Sequence, residues 1–228
     1  MTFDRRRFLA VSAGLALAGP AWAQGYGQTF KVENDDGRPI ANMRLPGELT
    51  GQAMELKGVT YIGPRDAEVV LYEYFDYNCP YCRKAAADIQ ALSASDPALR
   101  IGLVNNPILS PMSAQAAKVA LAVQRKLGSA AAFKLYTQLL GTPGQIDGIK
   151  ALTVAAKSGV PRAELEEIGN SDEIREALTA QMRLAANLGL TATPSYVLGN
   201  IGILGHPGPK SLARMIAAMR RCDQIACG

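Results

Sequence analysis

Between residues 69 and 92 an apolar run, a Cys-x-x-C and a helical stretch follow one another. Val69-Val70-Leu71-Tyr72-Glu73-Tyr74-Phe75 is continuous, aromatic and β-branched, which reads as a buried central strand. Cys79-Pro80-Tyr81-Cys82 comes next, then a helix to Leu92 that Ser95-Asp96-Pro97 brings to an end. A strand that feeds a helix through this motif puts Cys79 at the helix N-terminus. There, unpaired N–H groups and the positive end of the helix dipole favour a thiolate over a thiol. A thiolate is the form that attacks disulfides, and a two-residue spacer lets the second sulfur reach back and resolve a mixed disulfide. The local pattern therefore points to thiol–disulfide exchange.

The same alternation continues along the chain. Leu99 to Val104 is a second short strand, closed by Asn105-Asn106-Pro107. From Ser113 to Leu188 the pattern is helical: Ser113–Leu127, Ser129–Leu140, Ile146–Ser158, Arg162–Ile168, and a long helix capped by Ser171-Asp172-Glu173 and stopped at Gly189. Two short strands, Ser195–Leu198 and Ile201–Leu204, precede a last helix from Pro209 to Arg221. The order β–α–β, helical block, β–β–α predicts an open α/β sheet with about 75 helical residues inserted. Ahead of it, Thr29–Val32 and Ile40–Met43 flank Asn34-Asp35-Asp36-Gly37, which has hairpin chemistry. Gly47 to Gly63 carries no clear pattern.

The N-terminus reads as an address. Asp4-Arg5-Arg6-Arg7 is a basic head, Phe8 to Gly19 an apolar core, and Ala21-Trp22-Ala23 a small-x-small cleavage site, so a mature chain would start near Gln24. The apolar core is about twelve residues, short of the roughly 20 that cross a bilayer; a retained anchor is the lesser reading. Arg-Arg-x-Phe-Leu resembles a twin-arginine signal, with a general secretory signal as the alternative. Either route leads to an oxidising compartment, here expected to be the periplasm. Without residues 1–23 the chain has 21 basic and 19 acidic side chains. So even a balance suggests neither nucleic acid nor a membrane surface as partner.

Together, the strand–Cys-Pro-Tyr-Cys–helix unit, the helical insertion and Thr191-Ala192-Thr193-Pro194-Ser195 ahead of a short strand resemble the DsbA-like branch of the thioredoxin superfamily. Within it, Phe75 to Cys82 and Asn106-Pro107-Ile108-Leu109 are similar to the suppressor-of-copper-sensitivity and outer-membrane-protein-like disulfide-exchange group. The resemblance runs from about Val59 to Met219. It implies a thioredoxin fold with a helical domain inserted in the sheet topology: halves at 67–112 and 190–221, an insertion at 113–189, an N-terminal extension at 24–66 and a tail at 222–228.

The resemblance also implies roles. Cys79 would be an exposed nucleophile with a depressed pKa, and Cys82 a buried resolving thiol. Pro194 would be cis and face the motif, with Thr193 presented to an extended substrate peptide in the manner of strand addition. An ordinary Thr-Pro turn is the plainer alternative. Glu73 would be a buried acid that accepts the proton of Cys82, against the alternative of an edge glutamate reaching solvent. Pro80 and Tyr81 would form a rim for substrate. The motif lacks a histidine and Thr193 stands where the strongest oxidases have valine, so a less oxidising, isomerase- or reductase-like pair is expected. A strong dithiol oxidase is the runner-up. Cu(I) binding or a chaperone-like cleft is the reading from another class; soft thiolates do select Cu(I).

Cys222 and Cys227 form a separate C-x4-C, which in an exported chain usually bridges. A second redox relay and free or intermolecular thiols stay open. His206 is the only histidine, in a Gly-His-Pro-Gly loop, and receives no role. Met112, Met182, Met215 and Met219 fall at helix positions, where core packing is the default. No metal or organic cofactor is expected. The expected partners are unfolded or misoxidised exported proteins and a membrane redox protein of the DsbB or DsbD kind. The extension lacks the long amphipathic helix of an oligomerising stalk, so the oligomeric state stays open.

Overall fold

The computed structural model describes residues 29–227; the expected signal peptide at 1–23 lies outside them. Strand β1 (Ala41–Arg44) leads into a short helix α1 (Gly47–Gly51), a 3-10 turn (Gln52–Glu55) and β2 (Thr60–Ile62). Then come β3 (Val69–Phe75), α2 (Pro80–Ser95) and β4 (Leu99–Asn105). The helical block is α3 (Pro111–Leu127), α4 (Ser129–Gly141), α5 (Gly148–Ala155), α6 (Arg162–Gly169) and α7 (Asp172–Asn187). Strands β5 (Ser195–Leu198) and β6 (Ile201–Leu204) and helix α8 (Pro209–Cys222) complete the chain. Among these helices none is long and apolar enough to cross a membrane.

Local chemistry explains most boundaries. Proline occupies the first turn of α2, α3 and α8, where its missing N–H costs nothing. The side chains of Ser110, Asp147 and Ser171 cap α3, α5 and α7 by accepting from the N–H of Ser113, Lys150 and Ile174.

The six strands form one sheet in the order β1-β6-β5-β3-β4-β2. Only the β3–β4 pair is parallel. Alternation along β3 divides the core. Val69, Leu71 and Phe75 face the layer of α2, α8 and the insertion, while Tyr72 and Tyr74 face α7 and the Leu45–Val59 segment. Glu73 belongs by register to the first face, with Tyr196 directly opposite it on β5.

Two expectations for the extension need correction. Asn34–Gly37 does turn, closed by Asn34 N–H to the Arg38 carbonyl and a bridge between Glu33 and Pro39. Thr29–Val32, however, forms no strand, and the other arm becomes β1 by pairing with β6. The sheet edge offers a longer ladder than the short first arm, so it captures the second. Gly47 to Gly63, unreadable in sequence, holds α1 and the edge strand β2. Met112 is also not core: it is exposed, whereas Met215 and Met219 are buried.

The turn serves the last helix. Helix α8 begins at Gly208 with no capping side chain of its own. Asp35 supplies the cap from a distance: its carboxylate accepts from the N–H groups of Lys210 and Ser211 at 3.0 and 2.7 Å. A Cβ at Gly208, where φ is +89°, would sit 2.6 Å from that carboxylate, so glycine is required there. Asp35→Ala is expected to destabilise the protein by about 1 kcal/mol. The check is a lower urea midpoint at unchanged slope.

Candidate active site

The loop from β3 to α2 is fastened before it reaches the first sulfur. Asp76 is buried; one carboxylate oxygen accepts from Asn78 N–H at 2.7 Å and the other from Leu109 N–H at 2.9 Å. Asn78 donates to the Ser113 hydroxyl and the Ile146 carbonyl and accepts from Ile146 N–H. Arg83, one residue past the motif, donates to the carbonyls of Leu140, Thr142 and Gly144 at the end of α4. The active-site helix and the insertion are thereby tied together at the motif.

Cys79 is the N-cap of α2 and Pro80 its first residue. Both thiols are free. Across the sheet, the Thr193–Pro194 peptide bond is cis. Its Thr193 carbonyl accepts from Cys79 Sγ at 3.0 Å when that thiol is protonated. Ionisation gives up this bond and gains others. The Cys82 thiol, the Thr193 side chain and the N–H groups of Cys82 and Tyr81 favour the thiolate; they outweigh burial and bring Cys79 down to about 6. Cys82 moves the opposite way. Burial pushes its thiol far up, and the bond to Cys79 and the charges of Glu73 and Cys79 add to the rise.

One expectation is corrected here: Cys79 is not exposed but has 3% of its surface accessible. It caps the first turn of α2, and the Thr193 carbonyl lies against its sulfur. Tyr81 stands out at 63% exposure, with Ile108 and Leu109 also exposed on the loop that Asp76 holds. Thr193 and Pro194 are themselves buried, while Thr191 and Ala192 are exposed.

Glu73 is fully buried beneath the motif. Burial pushes its carboxyl up to about 8, the Tyr136 hydroxyl pulls it partly back, and the Cys79 charge raises it again. Tyr136 donates to Oε2 at 2.8 Å, and Oε1 has no hydrogen-bond partner.

Four residues here escaped the sequence reading: Asp76, Asn78, Tyr136 and His206. His206 is no idle surface group. Its Nδ1 lies 2.7 Å from the Tyr196 hydroxyl and its Nε2 2.8 Å from Asp88 Oδ2. Asp76 carried a faint signal, an Asx turn that begins four residues ahead of a helix start; the others carried none, since Asn78–Ile146, Tyr136–Glu73 and His206–Asp88 are 63 or more residues apart. Among the described residues no group of three or more His, Cys, Asp or Glu side chains is arranged to hold a metal. Cys222, the last residue of α8, and Cys227 are bonded to each other at the end of α8 away from the motif.

The sequence profile of the thioredoxin family matches residues 55–218. The chain belongs to the thioredoxin family. Its inserted helical block makes it a DsbA-like member, and its paired thiols make it a thiol–disulfide oxidoreductase. Among solved structures it is similar to a thioredoxin-like oxidoreductase from Silicibacter pomeroyi DSS-3, with 28% identity and a TM-score of 0.69 over 75% of this chain and 98% of that one. It also shares its fold with the catalytic domain of ScsC from Proteus mirabilis: 22% identity, TM-score 0.66, 74% of this chain and 94% of that one. The thiol-disulfide exchange protein alpha-DsbA2 from Wolbachia pipientis is a third: 22% identity, TM-score 0.69, 75% and 92% covered. No curated protein matches the chain.

Proposed function

We propose that this protein exchanges disulfides with exported protein substrates in the periplasm, with Cys79 as nucleophile and Cys82 as resolving thiol. The observation that carries the reading is the split between two sulfurs in one motif: Cys79 is lowered to about 6 and Cys82 is pushed far up. At neutral pH one sulfur is poised to attack and the other is held in reserve.

In the reductive direction the Cys79 thiolate attacks a substrate disulfide. A Cys79–substrate bond forms, and the other substrate sulfur leaves as thiolate. Cys82 then loses its proton to Glu73 in its ionised form, the minor form below about pH 8, and attacks Cys79 Sγ, forming the Cys79–Cys82 disulfide and releasing the second substrate thiolate. The substrate gains two electrons and the pair loses two. Oxidation of a substrate dithiol is the reverse. Thr193, with Pro194, supports an extended peptide beside the reacting sulfur, and Tyr81 and Pro80 meet its apolar side chains. No cofactor takes part; a membrane redox protein resets the pair. The basic head, apolar core and Ala21-Trp22-Ala23 support export.

The direction of use is a question of potential. With Tyr81 in the motif in place of histidine and Thr193 before the proline, the pair is expected near −200 mV or lower. That lies well below the about −120 mV of DsbA. Equilibration in glutathione buffers, read by thiol alkylation and mass, measures it. A value near −120 mV would make the protein a strong dithiol oxidase and sink the isomerase- or reductase-like reading.

A further inference from the structure

An acid that takes up a proton in each cycle must also return it, and Glu73 is fully buried. Its hydrogen-bond partner Tyr136 is buried too and donates inward. The opposite side of Glu73 is different. Tyr196 pairs directly with it in the β3–β5 ladder. Both side chains therefore stand on one face of the sheet, with Cβ atoms about 5 Å apart. From the Tyr196 hydroxyl a chain of bonds runs outward, 2.7 Å to His206 Nδ1 and 2.8 Å from Nε2 to Asp88. Exposure rises along it: Tyr196 is buried, the His206 side chain is 11% exposed and that of Asp88 32%. A neutral imidazole satisfies every link, with Tyr196 O–H donating to Nδ1 and Nε2–H donating to the Asp88 carboxylate.

The chain opens on water. His206 lines a cleft of about 310 Å³ together with Asp35, Asp36, Arg38, Tyr81 and Lys84. Asp88 from α2 bonds the imidazole, and the other charged groups lining the cleft are Lys84 from α2 and Asp35, Asp36 and Arg38 from the N-terminal turn. This cleft is shared with Tyr81 of the motif, so the outlet lies beside the site it would serve.

We propose that Tyr196, His206 and Asp88 form a proton relay between Glu73 and solvent, used when Cys82 resolves the mixed disulfide. The relay rests on the disulfide-exchange reading above. Glu73 Oε1 is buried and unpartnered, and the relay requires one water molecule to bridge it to the Tyr196 phenol. As Cys82 bonds to Cys79 and the substrate thiolate leaves, Glu73 holds the Cys82 proton. That proton passes to the phenol oxygen while the phenol proton moves to Nδ1. The Nε2 proton moves to Asp88 and from there to bulk water. The imidazole resets by exchange with water in the cleft, and one proton has left for each disulfide formed. Tyr196, His206 and Asp88 are positioning residues in this scheme, since none touches the reacting sulfurs.

The test separates the two sulfur steps. Reduced protein is mixed with glutathione disulfide carrying a self-quenching dye on both halves. Attack by Cys79 releases the first label and resolution by Cys82 the second. Tyr196→Phe and His206→Ala are expected to slow the second release about tenfold near pH 7 and to leave the first unchanged. Added imidazole is expected to restore the second release in His206→Ala and not in Tyr196→Phe. The relay is overturned by second-release rates equal to wild type, by equal slowing of both releases, or by a slowed His206→Ala that imidazole does not restore. Wild-type protein that releases neither label fails the disulfide-exchange reading, and the relay falls with it.

Discussion

Cys79→Ser is expected to abolish disulfide exchange, lowering its rate by at least about a thousandfold. A serine hydroxyl at the N-cap of α2 keeps the helix start and loses the ionisable sulfur. The remaining thiol cannot substitute, because Cys82 is fully buried and its pKa is pushed far up by burial and by the charges around it. Cys82→Ser should behave differently. The first attack survives, since the N–H groups of Tyr81 and residue 82 and the Thr193 side chain still favour the Cys79 thiolate. The mixed disulfide then has nothing to resolve it and accumulates. Mass spectrometry of each variant after incubation with a disulfide-bonded peptide reads both outcomes: no adduct with Cys79→Ser, and one peptide per protein with Cys82→Ser. An adduct on Cys82 in the Cys79→Ser variant would reverse the assignment of the two sulfurs.

The reduced protein should also carry an unusual pH profile of stability, and Glu73 is its main source. In the unfolded chain this carboxyl ionises near 4.5; folded, it holds its proton to about 8. Between those values the folded state binds one more proton than the unfolded state, so stability falls as pH rises through the window. The full fall is on the order of 5 kcal/mol. Cys79 opposes it over part of the range. Its thiol ionises at about 6 in the fold and near 9 in the unfolded chain, so its contribution grows from pH 6 to 9. Urea unfolding of the reduced protein should therefore show stability dropping from pH 4.5 to 6 and levelling between 6 and 8. Glu73→Gln keeps an acceptor for Tyr136 and has nothing to ionise, so it should lose the drop and exceed the wild type by several kcal/mol at pH 8. A difference between the two that is the same at pH 5 and pH 8 would show that Glu73 is not a buried acid. The same variant is expected to slow the resolving step by about a hundredfold, as loss of a proton acceptor does.

The C-terminal disulfide belongs to a different part of the molecule. Cys79 caps one end of α2, while Arg220, two residues before Cys222, pairs with Asp96 at the other end. Sixteen helical residues separate those ends, roughly 24 Å at 1.5 Å per residue, too far for direct exchange between the two cysteine pairs. The bridge instead closes the tail that buries Ile225 against the core.

What was legible in the amino-acid sequence is what a few neighbouring residues encode. Local signals placed α3, α7 and α8 within a residue or two and the start of α2 at Pro80, though α2 runs three residues past the expected Leu92, and the β5 and β6 boundaries coincide with their apolar runs. The buried state of Glu73 followed from the unbroken apolar strand around it. The motif itself located both sulfurs and the helix end that activates one of them. The tertiary structure alone decided what stands against them. Thr193 meets Cys79 across 114 residues, His206 meets Asp88 across 118, and Asp35 caps a helix 175 residues away. None of these pairings has a local signature. Each depends on β5 lying beside β3 and on β1 closing the sheet edge, which is settled by the summed burial of both sheet faces. Propensity and periodicity act over a turn or two of chain; the burial of a charge, and hence the proton chemistry of Glu73 and Cys82, is a property of the whole packed sheet.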